Sequence, residues 1–280
     1  MKREDFLQIE VHPFTQLIWN SVEHKRKWED IVRRASQVHD RAEYWMVKDK
    51  QRPCGTLHIY PANYDREFER LQQDGVYWLP IQRTRNYDGF SHKHFPVDHL
   101  EADCNVYGVI STSLEDAEDF RATSGDQDKK RMADHKAIAT LLGFPECCGD
   151  FFVDVWPLFF DPVWQSAVAG EHRVISDRVI EVVPHISTHQ MLRYGGFRVT
   201  SHFPCSLNCE ESIRVGEKWL ETMTKYDPEG TEALVEILKL PGKWSCKYGV
   251  AVVETEPFTI VTNSLPTRER WEIRWEKVLG

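Results

Sequence analysis

The sequence contains no run of about 18 apolar residues, the length a helix needs to cross a bilayer. Its first twelve residues, MKREDFLQIEVH, carry charges where a secretion signal needs an apolar stretch. A cytoplasmic chain with no membrane contact is therefore expected. Cations are in deficit: 35 Lys and Arg against 44 Asp and Glu leave a net charge of −9. That excludes indiscriminate coating of nucleic acid, which depends on many cationic side chains displacing counterions, and leaves open only a local basic groove. No G-x-G-x-x-G and no G-x-x-x-x-G-K-[ST] occurs, so neither a Rossmann dinucleotide site nor a P-loop is supported. Arg193-Tyr-Gly-Gly-Phe197 looks like a cofactor loop but lacks that spacing. Internal repeats, low-complexity segments and C-x-x-C pairs of the zinc-ribbon kind are all missing.

What is present is ample apolar material. Hydrophobic residues make up 41% of the 280 positions and aromatics 12%, enough for one large core or for two lobes sharing an interface. Apolar residues at helical spacing (Leu17, Ile18, Val22, Trp28, Ile31, Val32) predict a helix over 15–36. Short β-type runs follow at 43–47 and 56–60, then a polar helix over 63–73, a turn at Asp74-Gly75 and strands over 76–81 and 105–111. Ser113, with Asp116 three residues on, reads as the N-cap of a helix over 114–121. A helix over 128–142 should stop at Gly143 and Pro145. Helices are expected again over 148–160, 207–225, 231–240 and 268–279, with strands over 248–254 and 258–262. The mixture lacks regular βαβ alternation, so the fold class is α+β. The polar stretch 122–130 is the best linker, dividing an N-terminal lobe (1–124) from a cysteine-motif lobe (125–280), unless the two form one continuous domain.

Five of the seven cysteines fall between Cys147 and Cys246, a crowding that in a cytosolic chain favours metal or catalytic thiols over disulfides. Cys205 and Cys209 are four apart, so a helix starting there would put both sulfurs on one face. Cys148 follows a proline turn at an expected helix start. Both places set sulfur beside unpaired backbone N–H groups and the positive end of a helix dipole, which favours the thiolate. Cys148, Cys205 and Cys209, completed by His202 or Cys246, would hold zinc; three sulfurs with an open position would equally suit an iron–sulfur cluster. The competing reading is buried cysteines acting as small apolar residues. It is preferred for Cys54 and Cys104, and Cys147 is set aside because one of two adjacent side chains usually points away.

His185 and His189 would share a face if helical, and with Asp150 they are candidates for proton transfer; no Glu completes an H-E-x-x-H pattern. Trp244 and Tyr248, near Cys246, could flank a base, and Arg83 and Arg85, followed by Tyr87 and His92-Lys-His94, could contact phosphates. The ordinary alternatives are hydrogen-bonded histidines and a solvated loop.

The motifs Gly143-Phe-Pro-Glu-Cys-Cys148 and Pro204-Cys-Ser-Leu-Asn-Cys209 resemble those of an uncharacterised, largely archaeal family with a G-[FY]-P-x-C-C turn and a later P-C-S-x-x-C turn. The likeness covers roughly 130–255, and the second turn here reads Cys205-Ser-Leu-Asn-Cys209. More loosely, the chain is similar to accessory enzymes of 7-deazaguanine DNA modification in archaeal viruses, among them a methylase of the modified base's aminomethyl group. The resemblance implies a metal-thiolate enzyme of the host cytoplasm that uses S-adenosylmethionine and acts on a nucleobase in DNA. Two other readings stand beside it: an iron–sulfur enzyme of sulfur or electron transfer, and a zinc-stabilised interaction module without catalysis.

Overall fold

The computed structural model describes residues 15–85, 95–96, 104–125, 133–156, 162–169, 172–176, 179–182, 184–247 and 250–262. The architecture is α+β, with two antiparallel sheets and helices packed between and around them. None of the described helices is long and apolar enough to cross a membrane.

The chain enters as a strand, β1 (Thr15–Trp19), which pairs with β10 (Phe258–Thr262) from the far end of the sequence. This replaces the helix expected from residue 15. Leu17 and Trp19 turn inward while Ile18 is exposed, a period of two that the wider helical pattern obscured. The helix begins after Ser21, whose hydroxyl accepts from the His24 N–H at 3.0 Å, and α1 then runs over Val22–Lys48. It thus absorbs 43–47, expected as a strand. That segment reads as β-type because α1 buries two faces: Ala35, Val38, Ala42 and Met46 enter one core, Tyr44 and Val47 a second.

The smaller sheet is ordered β2 (Cys54–Ile59), β5 (Cys104–Ser111), β3 (Tyr77–Arg85), β4 (Phe95–Pro96). Helix α2 (Tyr64–Gln73) connects β2 to β3. Helix α3 (Leu114–Thr123) is capped by Ser113 as expected and packs Ala117 and Phe120 onto Cys54 and Val109. Ala122 and Thr123, assigned to the linker, are the end of α3. Two helices follow, α4 (His135–Leu141) and α5 (Glu146–Val155), then α6 (Pro162–Ala169).

The larger sheet is ordered β1-β10-β9-β8-β7-β6, with β6 at His172–Ser176, β7 at Val179–Val182, β8 at Gly242–Lys247 and β9 at Val250–Glu254. The excursion between β7 and β8 carries the second cysteine motif and the helices α7 (Glu210–Tyr226) and α8 (Pro228–Leu238). Those two helices and α1 share one core with the sheet, uniting Trp28, Val38, Trp219, Leu234, Trp244 and Ile260. Ring stacking of His39 on Trp219 and of Trp45 on Tyr226 fastens α1 to α7. The expected boundary at 124/125 is crossed twice, since β1 belongs to the larger sheet and α1 to both cores. The helix expected over 268–279 lies outside the described residues.

Candidate metal centre

Two turns bring the sulfurs together. Helix α4 is followed by its C-cap Leu142 and then Gly143, whose left-handed backbone (φ +66°) suits a residue without Cβ. Pro145 then caps α5. The helix starts at Glu146, two residues earlier than expected, so Cys147 and Cys148 both sit in its first turn. In the second motif residues 205–208 form a turn rather than the expected helix, closed by Cys209 N–H donating to Ser206 O at 3.0 Å. Cys209 is the N-cap of α7. The loop is braced from behind: the Thr188 hydroxyl donates to Leu207 O, and Leu207 N–H reaches Ser166 O at 3.3 Å. Helix α7 lies directly on this brace, where a Cβ on Gly216 would come within 2.7 Å of Ser187 O.

The sulfurs of Cys147, Cys148, Cys205 and Cys209 all lie within 4.8 Å of one another. Three of the separations are 3.8 Å (Cys147 to Cys148), 3.7 Å (Cys147 to Cys209) and 3.8 Å (Cys148 to Cys209). A tetrahedron with metal–sulfur bonds of about 2.3 Å has sulfur–sulfur edges of about 3.8 Å. A disulfide needs about 2.05 Å, so these are free thiols spaced as ligands of one ion.

Cys147 is therefore the fourth sulfur, and setting it aside is corrected. Side chains in a helix's first turn tilt toward its N-terminus, so neighbours that diverge in mid-helix can converge on an ion lying beyond the helix end. His202, expected as a ligand, stands one bond behind. Its Nε2 is 2.9 Å from Ser212 Oγ, which is 3.0 Å from Cys148 Sγ. Cys246 lies on β8 opposite Ala251, and its side chain is outside the described residues.

Without a cation, burial and mutual repulsion disfavour more than one thiolate in the cluster. Burial drives the Cys148 thiol far above its ordinary range, and charge on Cys205 and Cys209 adds to this against the Ser212 hydroxyl. Burial and the Cys209 sulfur push Cys205 up to about 12 and raise Cys147 as well. Cys209 alone goes down: burial opposes this, but the Ser212 backbone N–H and hydroxyl outweigh it. Four thiolates repel one another unless a positive ion sits among them, and a divalent ion reverses the penalty. The N-termini of α5 and α7 point their positive ends at the same place. The donor set thus fits one thiophilic metal. Because Ser212 orients a ligand, Ser212→Ala is expected to lower zinc affinity by about 10- to 100-fold with the fold intact, as read by competition with a chromogenic chelator.

The remaining candidates are dispersed. His185 and His189 flank a short 3-10 turn (Ile186–Thr188), not an α-helix, so they share no face. His185 is exposed and caps that turn through its Nδ1; His189 is buried, and burial lowers its pKa to about 4. Asp150 pairs with Lys136 Nζ at 2.7 Å, tying α5 to α4. Trp244 is fully buried, its ring 5.3 Å from that of Tyr194, so it is a core residue rather than a base-stacking surface. Tyr248, Tyr87 and residues 92–94 lie outside the described residues. Arg83 is exposed on β3 opposite Val106, and Arg85 pairs with Cys104 on one side and Phe95 on the other.

One feature escaped the sequence reading altogether. A cavity of about 430 Å³ lies against the metal centre and reaches the smaller sheet. Cys148 and Gly149 form part of its wall, with Phe144, Phe152, Phe203 and His202 beside them and Ile81, Gln82 and Tyr107 from β3 and β5. No local motif announces it, because its walls come from seven separate stretches of chain. Comparison with protein-family models, with curated proteins and with solved structures finds no match for this chain.

Proposed function

We propose that the four cysteines hold one zinc ion as a closed structural site, and that the chain is an enzyme acting on a nucleobase in the cavity beside it. The carrying observation is three sulfurs 3.7 to 3.8 Å apart, with the Cys205 sulfur within 4.8 Å of each, next to a ligand-sized cavity that shares Cys148. Four protein sulfurs leave no coordination position for substrate, which is the pattern of structural rather than catalytic zinc. An iron–sulfur cluster interposes inorganic sulfides and several irons between its cysteines and spreads them wider than one ion does, so the compact set favours a single metal. Zinc would draw the two helix N-termini and the turn at 205–208 into one rigid corner, and folding free energy is what it contributes there.

The reaction indicated by the resemblance is methyl transfer from S-adenosylmethionine to the aminomethyl group of a 7-deazaguanine in DNA. The amine nitrogen forms a bond to the methyl carbon, the carbon–sulfur bond of the sulfonium breaks, S-adenosylhomocysteine leaves, and the amine proton passes to solvent. His185, His189 and Asp150 do not line the cavity, so they are not proposed as its proton acceptors. The closed site also favours a second reading, a zinc-stabilised interaction module without catalysis. Incubation of the zinc-loaded chain with DNA bearing the aminomethyl base and methyl-labelled S-adenosylmethionine separates the two. Label on the modified nucleoside after digestion is the expected result, and no label at any salt concentration, with zinc bound, overturns the methylase.

A further inference from the structure

The wall of the cavity carries an unused polar atom. His202 is 3% exposed, lines the cavity, and its Nδ1 has no hydrogen-bond partner. Its tautomer follows from its neighbours. A metal-bound Cys148 sulfur can only accept, so the single Ser212 hydroxyl proton goes to it, and Ser212 Oγ accepts from His202 Nε2–H. Nδ1 is then left as a bare lone pair. Burial, with Arg193 and Arg52 nearby, lowers the His202 pKa to about 3, so the ring stays neutral. A buried acceptor without a donor is costly and is normally found where a ligand supplies one.

A donor stands in the same lining. Arg198 contributes to the cavity wall, and its Nε is buried without a partner. Nε offers a single N–H, so the missing partner is an oxygen or other acceptor supplied from the cavity. Around these two atoms the surface is aromatic. Phe144 lies 5.1 Å from the His202 ring, and Phe152 stacks on both Phe203 and Trp156. The volume falls within the range of small-molecule sites, about 300 to 1,000 Å³.

We infer that this cavity binds a planar nitrogen heterocycle bearing a ring N–H and a carbonyl, with His202 Nδ1 accepting from the N–H and Arg198 Nε donating to the carbonyl. The inference rests on the enzyme reading only in giving its substrate a place. It is tested without any methyl donor, so that binding and transfer fail separately. Calorimetric titration of the zinc-loaded full chain with guanosine is expected to show one saturable site. Binding of 1-methylguanosine, which lacks the ring N–H, should be about tenfold weaker, as should guanosine binding to His202→Phe and Arg198→Met. If His202→Phe loses zinc, Arg198→Met decides. No saturable heat at the solubility limit of guanosine, or equal affinity for 1-methylguanosine and in Arg198→Met, overturns the inference.

Discussion

Alanine at Cys147 is expected to strip the protein of its metal and to lower its thermal midpoint by about 6 °C, an effect out of proportion to the side chain's exposure. Cys147 is exposed, and a surface substitution ordinarily moves stability by no more than about 0.5 kcal/mol in either direction. As one of four thiolates around zinc it is worth far more, because structural zinc contributes of order 10 kcal/mol to folding in small metal-binding peptides. Even a third of that, spread over a chain of this size, gives a shift of about 6 °C. Cys54→Ala is the comparison. Cys54 is fully buried on β2, away from the cluster, so its loss should cost packing while one equivalent of zinc remains. Thermal melts with metal analysis of both variants read the difference. Should Cys147→Ala melt with the wild type and keep its zinc, the fourth ligand is another residue.

Acid is expected to destabilise the fold in the range where histidines titrate. Burial lowers the pKa of His189 to about 4, and burial followed by the charges of Arg198 and Arg193 holds His39 well below 6.5. For both, the folded pKa lies below the unfolded one, so the unfolded chain takes up the proton first. The stability tied to each neutral ring is complete above pH 6.5 and is lost as pH falls toward the folded value. For His189 the window from 6.5 to about 4 corresponds to about 3 kcal/mol, of which about 2 kcal/mol is lost by pH 5. Comparison of wild type with His189→Phe by urea unfolding at pH 7.5 and pH 5 isolates this share, since acid release of zinc is common to both. The wild type should lose about 2 kcal/mol more than the variant over that interval. Equal losses would mean that His189 takes up its proton in the fold as readily as in the unfolded chain.

What could be read from the residues alone follows the range of the interactions involved. Strands β2 and β5, helix α2 and the Ser113 cap rest on local patterns, and the structure has them within a residue or two of expectation. Strand β1 exists because of β10, more than 200 residues away, and no window around Leu17 contains that partner. Residues 43–47 have strand-like composition because they serve two cores at once, something only the packed helix reveals. At the metal centre, Cys148, Cys205 and Cys209 were legible through the proline turns that deliver them. Cys147 was not, because adjacency argues against convergence everywhere except at a helix end. His202 belonged to the neighbourhood but not to the ligand set, since a spacing in sequence cannot tell a ligand from the group behind a ligand.

The central claim is that four sulfurs from two separate turns surround one ion, and X-ray absorption at the metal edge of the anaerobically purified chain tests it most directly. The account expects one zinc per chain with four sulfur neighbours at about 2.3 Å and no lighter ligand. A shell containing nitrogen or oxygen, iron with a short metal–metal vector, or no metal at all would contradict it.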